Sequence, residues 1–118
     1  MTKVLLIEDE PQHTELVKIR LQAQGMEVCC ADTAAAGAKA AAKDKPDLIL
    51  MDLLLPDMRP EDAVRAVRAA SKTPIIAFTA LDPVEIHRRR IDSKISGLVA
   101  KPYEAGDLLG EIARVIRK

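Results

Sequence analysis

The sequence predicts an α/β fold: a doubly wound sheet of five parallel strands with five helices, arranged as a three-layer sandwich. Five short apolar runs alternate along the chain with five stretches of helical pattern. The connections are short, and no linker, repeat or low-complexity segment interrupts the order. Continuous apolar runs are typical of strands buried on both faces of a parallel sheet. We therefore expect one domain over residues 1–118, which is enough chain for one core.

The first half of the chain predicts three strands and two helices. The strands are three runs of four residues: Val4–Ile7, Val28–Ala31 and Leu48–Met51. Pro11 suits the first turn of the first helix, and Gly25 is its expected C-terminal stop. The apolar stripe of this helix has three residues: Leu16, Val17 and Leu21. Asp32 or Thr33 caps the alanine-rich second helix, which runs to about Lys43, because both side chains accept from unpaired backbone N–H groups.

The second half predicts two strands and three helices. The strands are Pro74–Phe78 and Leu98–Ala100. Pro60 opens the third helix, since proline is tolerated in a first turn. The fourth helix follows Pro83, has a weak apolar pattern and carries the basic run His87–Arg90. The fifth helix has the clearest apolar face, formed by Leu108, Leu109, Ile112, Val115 and Ile116.

The composition argues against several classes of function. The formal net charge is zero, whereas a DNA-binding domain carries a basic excess, so we expect no direct contact with nucleic acid. Aromatic residues make up only 2%, too few for a base-stacking platform. Cys29 and Cys30 are neighbours that point to opposite faces of a strand, which favours a reduced cytoplasmic protein over a disulfide or a zinc site. No run reaches transmembrane length and no signal peptide precedes the first strand, so we expect no membrane association.

Polar side chains follow four of the five predicted strands. They are Glu8 and Asp9 after the first strand, Asp52 after the third, Thr79 after the fourth and Lys101 after the fifth. Ligands of such sheets bind beyond the carboxyl ends of the strands, so we expect these side chains to converge. Three carboxylates repel one another unless a cation joins them, and Mg²⁺ takes oxygen ligands while keeping room for a phosphate oxygen. The ammonium and hydroxyl groups suit a phosphoryl group, and Asp52 is the expected nucleophile.

These residues resemble the receiver domain of two-component response regulators. The resemblance covers the whole chain and rests on four segments: Val4–Pro11, Asp47–Met58, Phe78–Ala80 and Ala100–Pro102. It implies a flavodoxin-like (βα)5 sandwich. It also implies a cytoplasmic signalling phosphoprotein rather than an enzyme, one that assists only its own phosphorylation and dephosphorylation.

The resemblance implies a role for each site residue. The Mg²⁺ ligands would be Glu8, Asp9, Asp52 and the backbone carbonyl of Leu54. Asp52 would accept a phosphoryl group from a histidine kinase or a histidine phosphotransfer protein, forming an aspartyl phosphate. Thr79 and Lys101 would sense that group, with a cis bond between Lys101 and Pro102. A downstream effector protein would bind the face formed by helix four, strand five and helix five.

The sequence departs from the family's usual pattern at several positions. Leu98 stands where the family usually has Tyr or Phe, so the usual aromatic switch is not expected. Pro60 replaces a usual Gly, which indicates a local change at the start of the third helix rather than a loss of activity. Lys94–Ile95 replace a usual Gly-Ala, and together with Leu98 this suggests an unusual output surface. Leu54 and Leu81 offer no hydrogen bond to a water that attacks the aspartyl phosphate, so we expect a long-lived phosphoryl group.

Three interpretations of function follow. We favour a single-domain receiver that signals by binding a partner protein. The chain is alternatively a receiver excised from a longer regulator or hybrid kinase. It is alternatively a docking module that needs no phosphorylation, although the complete set of site residues speaks against this. A hydrolase of the haloacid dehalogenase type would need a second Asp where Leu54 lies.

Overall fold

A computed structural model of the chain describes residues 1–116 and shows one sheet of five parallel strands. The strands are β1 (Lys3–Ile7), β2 (Glu27–Ala31), β3 (Leu48–Met51), β4 (Ile75–Thr79) and β5 (Gly97–Ala100). They lie in the order β2-β1-β3-β4-β5. The predicted doubly wound α/β fold is confirmed. Because β1 and β3 are neighbours at the centre of the sheet, the residues that follow them lie side by side.

Five helices connect the strands. They are α1 (Pro11–Ala23), α2 (Ala34–Asp44), α3 (Pro60–Ala70), α4 (Pro83–Arg88) and α5 (Ala105–Ile116), with a 3₁₀ turn at Asp92–Lys94. A proline occupies the first turn of α1, α3 and α4, where its missing N–H breaks no helical hydrogen bond. Gly25 has φ +82° just beyond α1, as the predicted stop requires. Among residues 1–116, no helix is both long enough and apolar enough to cross a bilayer.

The core has two halves, one on each face of the sheet. Residues 4–7 and 48–51 are fully buried, because helices cover both faces of the central strands. One half packs the sheet against α2, α3 and α4 through residues that include Ala34, Val64, Val67 and Ile86. The other packs it against α1 and α5 through Val17, Leu21, Leu108 and Ile112. This is the predicted three-layer sandwich, with the central strands enclosed on both faces.

Two of the predicted apolar faces are wrong in detail. Leu16 is 44% exposed, so the buried stripe of α1 consists of Val17 and Leu21 alone. Ile116 is 39% exposed at the end of α5, while Leu108, Ile112 and Val115 are buried. In each helix the sheet covers residues three or four apart, and a residue directly beside a buried one lies about 100° away around the helix axis.

The fourth helix is shorter than the sequence indicates. It ends at Arg88, and Arg90 adopts a left-handed conformation with φ +59°, so the basic run His87–Arg90 does not lie wholly on a helix. Arg89 turns toward α3, where its Nη1 lies 2.9 Å from Glu61 Oε1 and its Nη2 lies 3.3 Å from Glu85 Oε1. The ion pair of Arg89 with Glu61 joins the end of α4 to α3, so this residue of the basic run is held against a neighbouring helix.

The N-terminus of α2 is held by two side chains. Thr33 is the N-cap, and its hydroxyl accepts from the Ala36 N–H at 3.0 Å. Within residues 1–116, the Asp32 side chain makes no hydrogen bond, so Thr33 is the cap of the two candidates. The Asp57 carboxylate, from the loop after β3, accepts from the N–H groups of Ala34 at 2.9 Å and Ala35 at 3.0 Å. Asp57 thereby anchors the loop that follows β3 to a fixed helix end.

The cap provided by Asp57 is testable by substitution. Its bonds from the backbone N–H groups of Ala34 and Ala35 hold the pKa of the Asp57 carboxyl below its ordinary value. We expect Asp57→Ala to lower the free energy of unfolding by about 1 kcal/mol at neutral pH, measured by urea denaturation. The contribution of Asp57 is present above the ordinary aspartate pKa and disappears as the pH falls through the lowered one. Asp32→Ala is the matched control, and an equal loss in both variants would contradict the assignment.

Candidate functional site

The strand ends bring the predicted polar residues to one edge of the sheet. Ile7 pairs with Met51 in the ladder between β1 and β3, so Glu8 and Asp52 follow from adjacent positions. The Asp52 N–H still donates to the Ile7 carbonyl at 2.9 Å, which continues the ladder into the site. On the other side, the Lys101 N–H donates to the Thr79 carbonyl at 2.8 Å. The backbone hydrogen bonds of the sheet thus fix where each side chain starts.

Three carboxylates form an acidic cluster at this edge. Glu8 and Asp52 are buried, with 3% and 5% of their surface exposed, while Asp9 is exposed. One oxygen from each of Glu8, Asp9 and Asp52 lies within 4.8 Å of the other two. Hard oxygen donors at such separations suit a divalent cation of the Mg²⁺ type. The side chains therefore fit the predicted metal, whereas the Leu54 carbonyl stays a prediction.

Lys101 neutralises part of the cluster. Its Nζ donates to Asp52 Oδ2 at 2.8 Å and to Glu8 Oε2 at 3.1 Å. Burial alone would lower the pKa of Lys101, but the hydrogen bond and charge of Asp52, with those of Glu8, outweigh burial and raise it. The lysine therefore remains an ammonium group in the site, which is the form that attracts phosphoryl oxygens.

The Asp52 carboxylate is held at both oxygens. Oδ2 accepts from Lys101, and Oδ1 accepts from the Leu54 N–H at 2.9 Å. Thr79, at the end of β4, is fully buried, and its Oγ1 accepts from the Leu81 N–H at 3.2 Å. The Asp52 carboxylate is therefore fixed beside one ammonium group and close to two other carboxylates.

The structure brings together the acids and the lysine that the sequence predicts. Glu8, Asp9 and Asp52 form the acidic cluster, and Lys101 contacts two of them. Thr79 contacts Lys101 through its backbone carbonyl, which accepts from the Lys101 N–H. Its hydroxyl oxygen instead accepts from the N–H of Leu81, two residues further along the chain. The Lys101–Pro102 peptide bond is cis, as expected.

Two further residues of the site were not found from the sequence. His13 Nδ1 lies 2.9 Å from Glu8 Oε2, and His13 Nε2 lies 2.6 Å from the Tyr103 hydroxyl oxygen. Phe78 packs between them and Lys101: its ring centroid is 5.3 Å from that of His13, and Lys101 Nζ lies 5.1 Å from the ring centroid. Burial raises the pKa of Tyr103. The one signal in the sequence is that Pro11 starts α1, which places residue 13 in the first turn, next to the end of β1.

The chain matches a family model described as the response regulator receiver domain, over residues 4–113. It is 32% identical over 118 residues to the transcriptional regulatory protein KdpE of Mycobacterium tuberculosis, covering 100% of this chain and 52% of that protein. It is also 32% identical over 116 residues to the transcriptional regulatory protein HprR of Escherichia coli, covering 98% of this chain and 52% of that protein. The chain thus spans about half the length of these curated relatives.

Solved structures show the same fold at higher coverage. The receiver domain of a sensor histidine kinase from Pseudomonas aeruginosa is 27% identical with a TM-score of 0.88, over 99% of this chain and 98% of that one. That structure has a magnesium ion coordinated in its active site cleft. A chemotaxis protein from Vibrio cholerae is 30% identical with a TM-score of 0.87, over 98% of each chain.

The charges of the cluster predict an effect on stability. Within residues 1–116, no cationic side chain pairs with Asp9, whereas Asp52 has Lys101. We expect Asp9→Asn to raise the melting temperature in metal-free buffer by a few degrees, because it removes a like charge worth about 1 kcal/mol. Asp52→Asn should raise the melting temperature less, since it also removes one of the two carboxylate partners of Lys101. Glu15→Gln is the control, because Glu15 is an exposed acid on α1. If Asp9→Asn melts at or below the melting temperature of Glu15→Gln, the prediction is contradicted.

Proposed function

Because the chain belongs to the family of response regulator receiver domains, we propose that it accepts a phosphoryl group on Asp52 from a histidine kinase or a histidine phosphotransfer protein. Members of this family are signalling phosphoacceptors of two-component systems. The observation that carries the proposal is the ion pair of Asp52 and Lys101, 2.8 Å apart at a buried strand end beside two further carboxylates. We propose that residues 1–118 form one such receiver unit.

The proposed metal is Mg²⁺, held by carboxylates of the acidic cluster. Receiver domains bind Mg²⁺ in an acidic cleft, and the related receiver domain from Pseudomonas aeruginosa contains the ion. The proposed ligands are Glu8, Asp9, Asp52 and the backbone carbonyl of Leu54. When bound, the cation supplies positive charge that offsets the charge of the acids and of the phosphoryl oxygens.

The proposed chemistry is direct attack by Asp52. A carboxylate oxygen forms a bond to phosphorus as the bond from phosphorus to the donor's histidine nitrogen breaks, and an aspartyl phosphate results. Lys101 is already beside the reacting carboxylate, so it can pair with the oxygens of the transferred group without a large movement. Thr79 and Lys101 are the proposed sensors of the phosphoryl group. The protein is therefore a phosphoacceptor that assists its own modification.

The proposed output is a phosphorylation-dependent protein contact on the face of α4, β5 and α5. Two features support it: Val84 on α4 is 70% exposed, and Arg88 and Arg90 are exposed nearby. Arg89 is not part of this surface, because its side chain is only 29% exposed and pairs with Glu61 on α3, whereas that of Arg88 is 69% exposed. We place the protein in the cytoplasm, in keeping with its two free cysteines.

Phosphorylation by a small donor tests the function. We expect incubation with acetyl phosphate and Mg²⁺ to add one phosphoryl group, seen by intact mass spectrometry. The adduct should be absent in Asp52→Asn and absent when EDTA replaces Mg²⁺. Asp57→Asn is the matched control, because Asp57 is a nearby aspartate that caps α2 and should leave the modification intact. If neither acetyl phosphate nor any of a panel of histidine kinases with ATP modifies the wild type, the proposal is contradicted and a docking module that needs no phosphorylation is favoured.

The lifetime of the aspartyl phosphate is a second test. Leu54 is 47% exposed beside Asp52 and has no side-chain group that can orient a water molecule. We expect slow loss of the phosphoryl group in the wild type and roughly ten-fold faster loss in Leu54→Asn, the effect of one hydrogen bond to the attacking water. Ile19→Asn is the control, since Ile19 is another apolar residue that is about half exposed, at 55%, and it lies on α1. Equal decay rates in the two variants would show that position 54 does not control the reaction.

A further inference from the structure

A chain of hydrogen bonds leads from the acidic cluster to the only tyrosine of the sequence. Glu8 Oε2 lies 2.9 Å from His13 Nδ1, and His13 Nε2 lies 2.6 Å from the Tyr103 hydroxyl. Glu8 and Tyr103 are far apart in sequence and come together because α1 and the segment after β5 pack on the same face of the sheet. One end of this chain is a candidate metal ligand, and the other lies on the turn that follows Lys101.

Glu8 fixes the direction of its own hydrogen bond, and the protonation of the ring then decides the direction at Tyr103. An ionised carboxylate only accepts, so the proton on the side of Glu8 belongs to His13 Nδ1. In the neutral ring Nε2 is then an acceptor, and the Tyr103 hydroxyl donates to it. The histidine therefore joins a carboxylate of the acidic cluster to the tyrosine hydroxyl through its two ring nitrogens.

The side chains are also held in place by packing. The His13 side chain is 16% exposed, and its ring lies 5.3 Å from the ring of Phe78 and 5.7 Å from that of Tyr103, centroid to centroid. Phe78 and Tyr103 meet edge to face with centroids 6.4 Å apart. With the rings packed on one another, His13 has little freedom to turn away from Glu8.

His13 and Lys101 share one oxygen of Glu8. Oε2 accepts from Lys101 Nζ at 3.1 Å as well as from His13, while Oε1 accepts from the N–H groups of Asp9 and Glu10 at 3.1 Å each. Four donors thus define the position of this carboxylate. His13 is the one side-chain donor among them that makes no bond to Asp52, so it holds Glu8 independently of what happens at Asp52.

We propose that His13 is a positioning residue for the cation site and that it couples the state of this site to the Tyr103 hydroxyl. The inference rests on the proposed function, since it assumes that Glu8 takes part in binding Mg²⁺. Outer partners that orient a metal ligand affect metal affinity strongly. His13 orients Glu8, and Tyr103 orients His13.

The single tyrosine provides the measurement. The sequence has one Tyr and no Trp, so tyrosine emission reports on residue 103 alone. We expect Mg²⁺ to change this emission in the wild type, and calorimetric titration to give the dissociation constant independently. His13→Ala should weaken Mg²⁺ binding roughly ten-fold. At saturating Mg²⁺, this variant should bind the ion without the change in tyrosine emission.

Two further variants make the experiment decisive. His13→Asn keeps an N–H donor near the place of Nδ1 but cannot reach Tyr103, so we expect it to recover most of the Mg²⁺ affinity and not the tyrosine response. His87→Ala is the matched control, because the other histidine of the chain is an exposed residue that pairs with Asp92 away from the site. Circular dichroism verifies that each variant is folded. If His13→Ala does not fold, the tyrosine response of His13→Asn tests the proposal instead.

The outcomes separate the two proposals. If the wild type binds Mg²⁺ and is phosphorylated but His13→Ala and His13→Asn behave like His87→Ala, the role of His13 is refuted and the proposed function stands. If the wild type neither binds Mg²⁺ nor is phosphorylated, both proposals fail. Weaker binding in His13→Ala with recovery in His13→Asn and a tyrosine response that is lost in both supports the inference.

Discussion

The site depends on the ion pairs that the ammonium group of Lys101 makes with two carboxylates. Two carboxylates, those of Glu8 and Asp52, are almost completely buried at adjacent strand ends. Burying such charges is costly unless a cation pairs with them, and removing one partner leaves the others unpaired. Lys101 contacts both carboxylates, so one positive charge stabilises two negative ones. The balance is incomplete, because Asp9 adds a third negative charge, and this residual charge is what makes the cluster receptive to a further cation.

The sheet makes this arrangement possible because it fixes the backbone positions at the ends of its strands. The residues before Glu8 and Asp52 are fully buried between two layers of helices, and the ladder hydrogen bonds continue to Asp52 itself. Charges that repel one another would separate on a flexible loop. Here the backbone positions are fixed by the core, so the repulsion remains in the structure until a cation relieves it.

The sequence predicts the part of the site that the strands determine. Asp52 and Lys101 follow apolar runs directly, and the carboxyl ends of parallel strands meet at one edge, so their proximity follows from topology. The contact between His13 and Tyr103 could not be predicted in this way, because it depends on how α1 and the turn after β5 pack. The early end of α4 also escaped prediction. Helix α4 ends just before Arg90 adopts a left-handed conformation, and nothing in the run His87–Arg90 indicates such a stop.

The two side-chain partners of Glu8 differ in what phosphorylation would do to them. An aspartyl phosphate carries more negative charge than the carboxylate it replaces, and Lys101 would pair with it in preference to Glu8. His13 makes no bond to Asp52, so it would remain on Glu8 and would become its main side-chain donor. The Glu8 carboxylate would then depend on the histidine for its position, and any adjustment would pass to the Tyr103 hydroxyl 2.6 Å from the far side of the ring. The same contacts that balance charge in the unmodified protein would therefore carry the change in charge toward the surface.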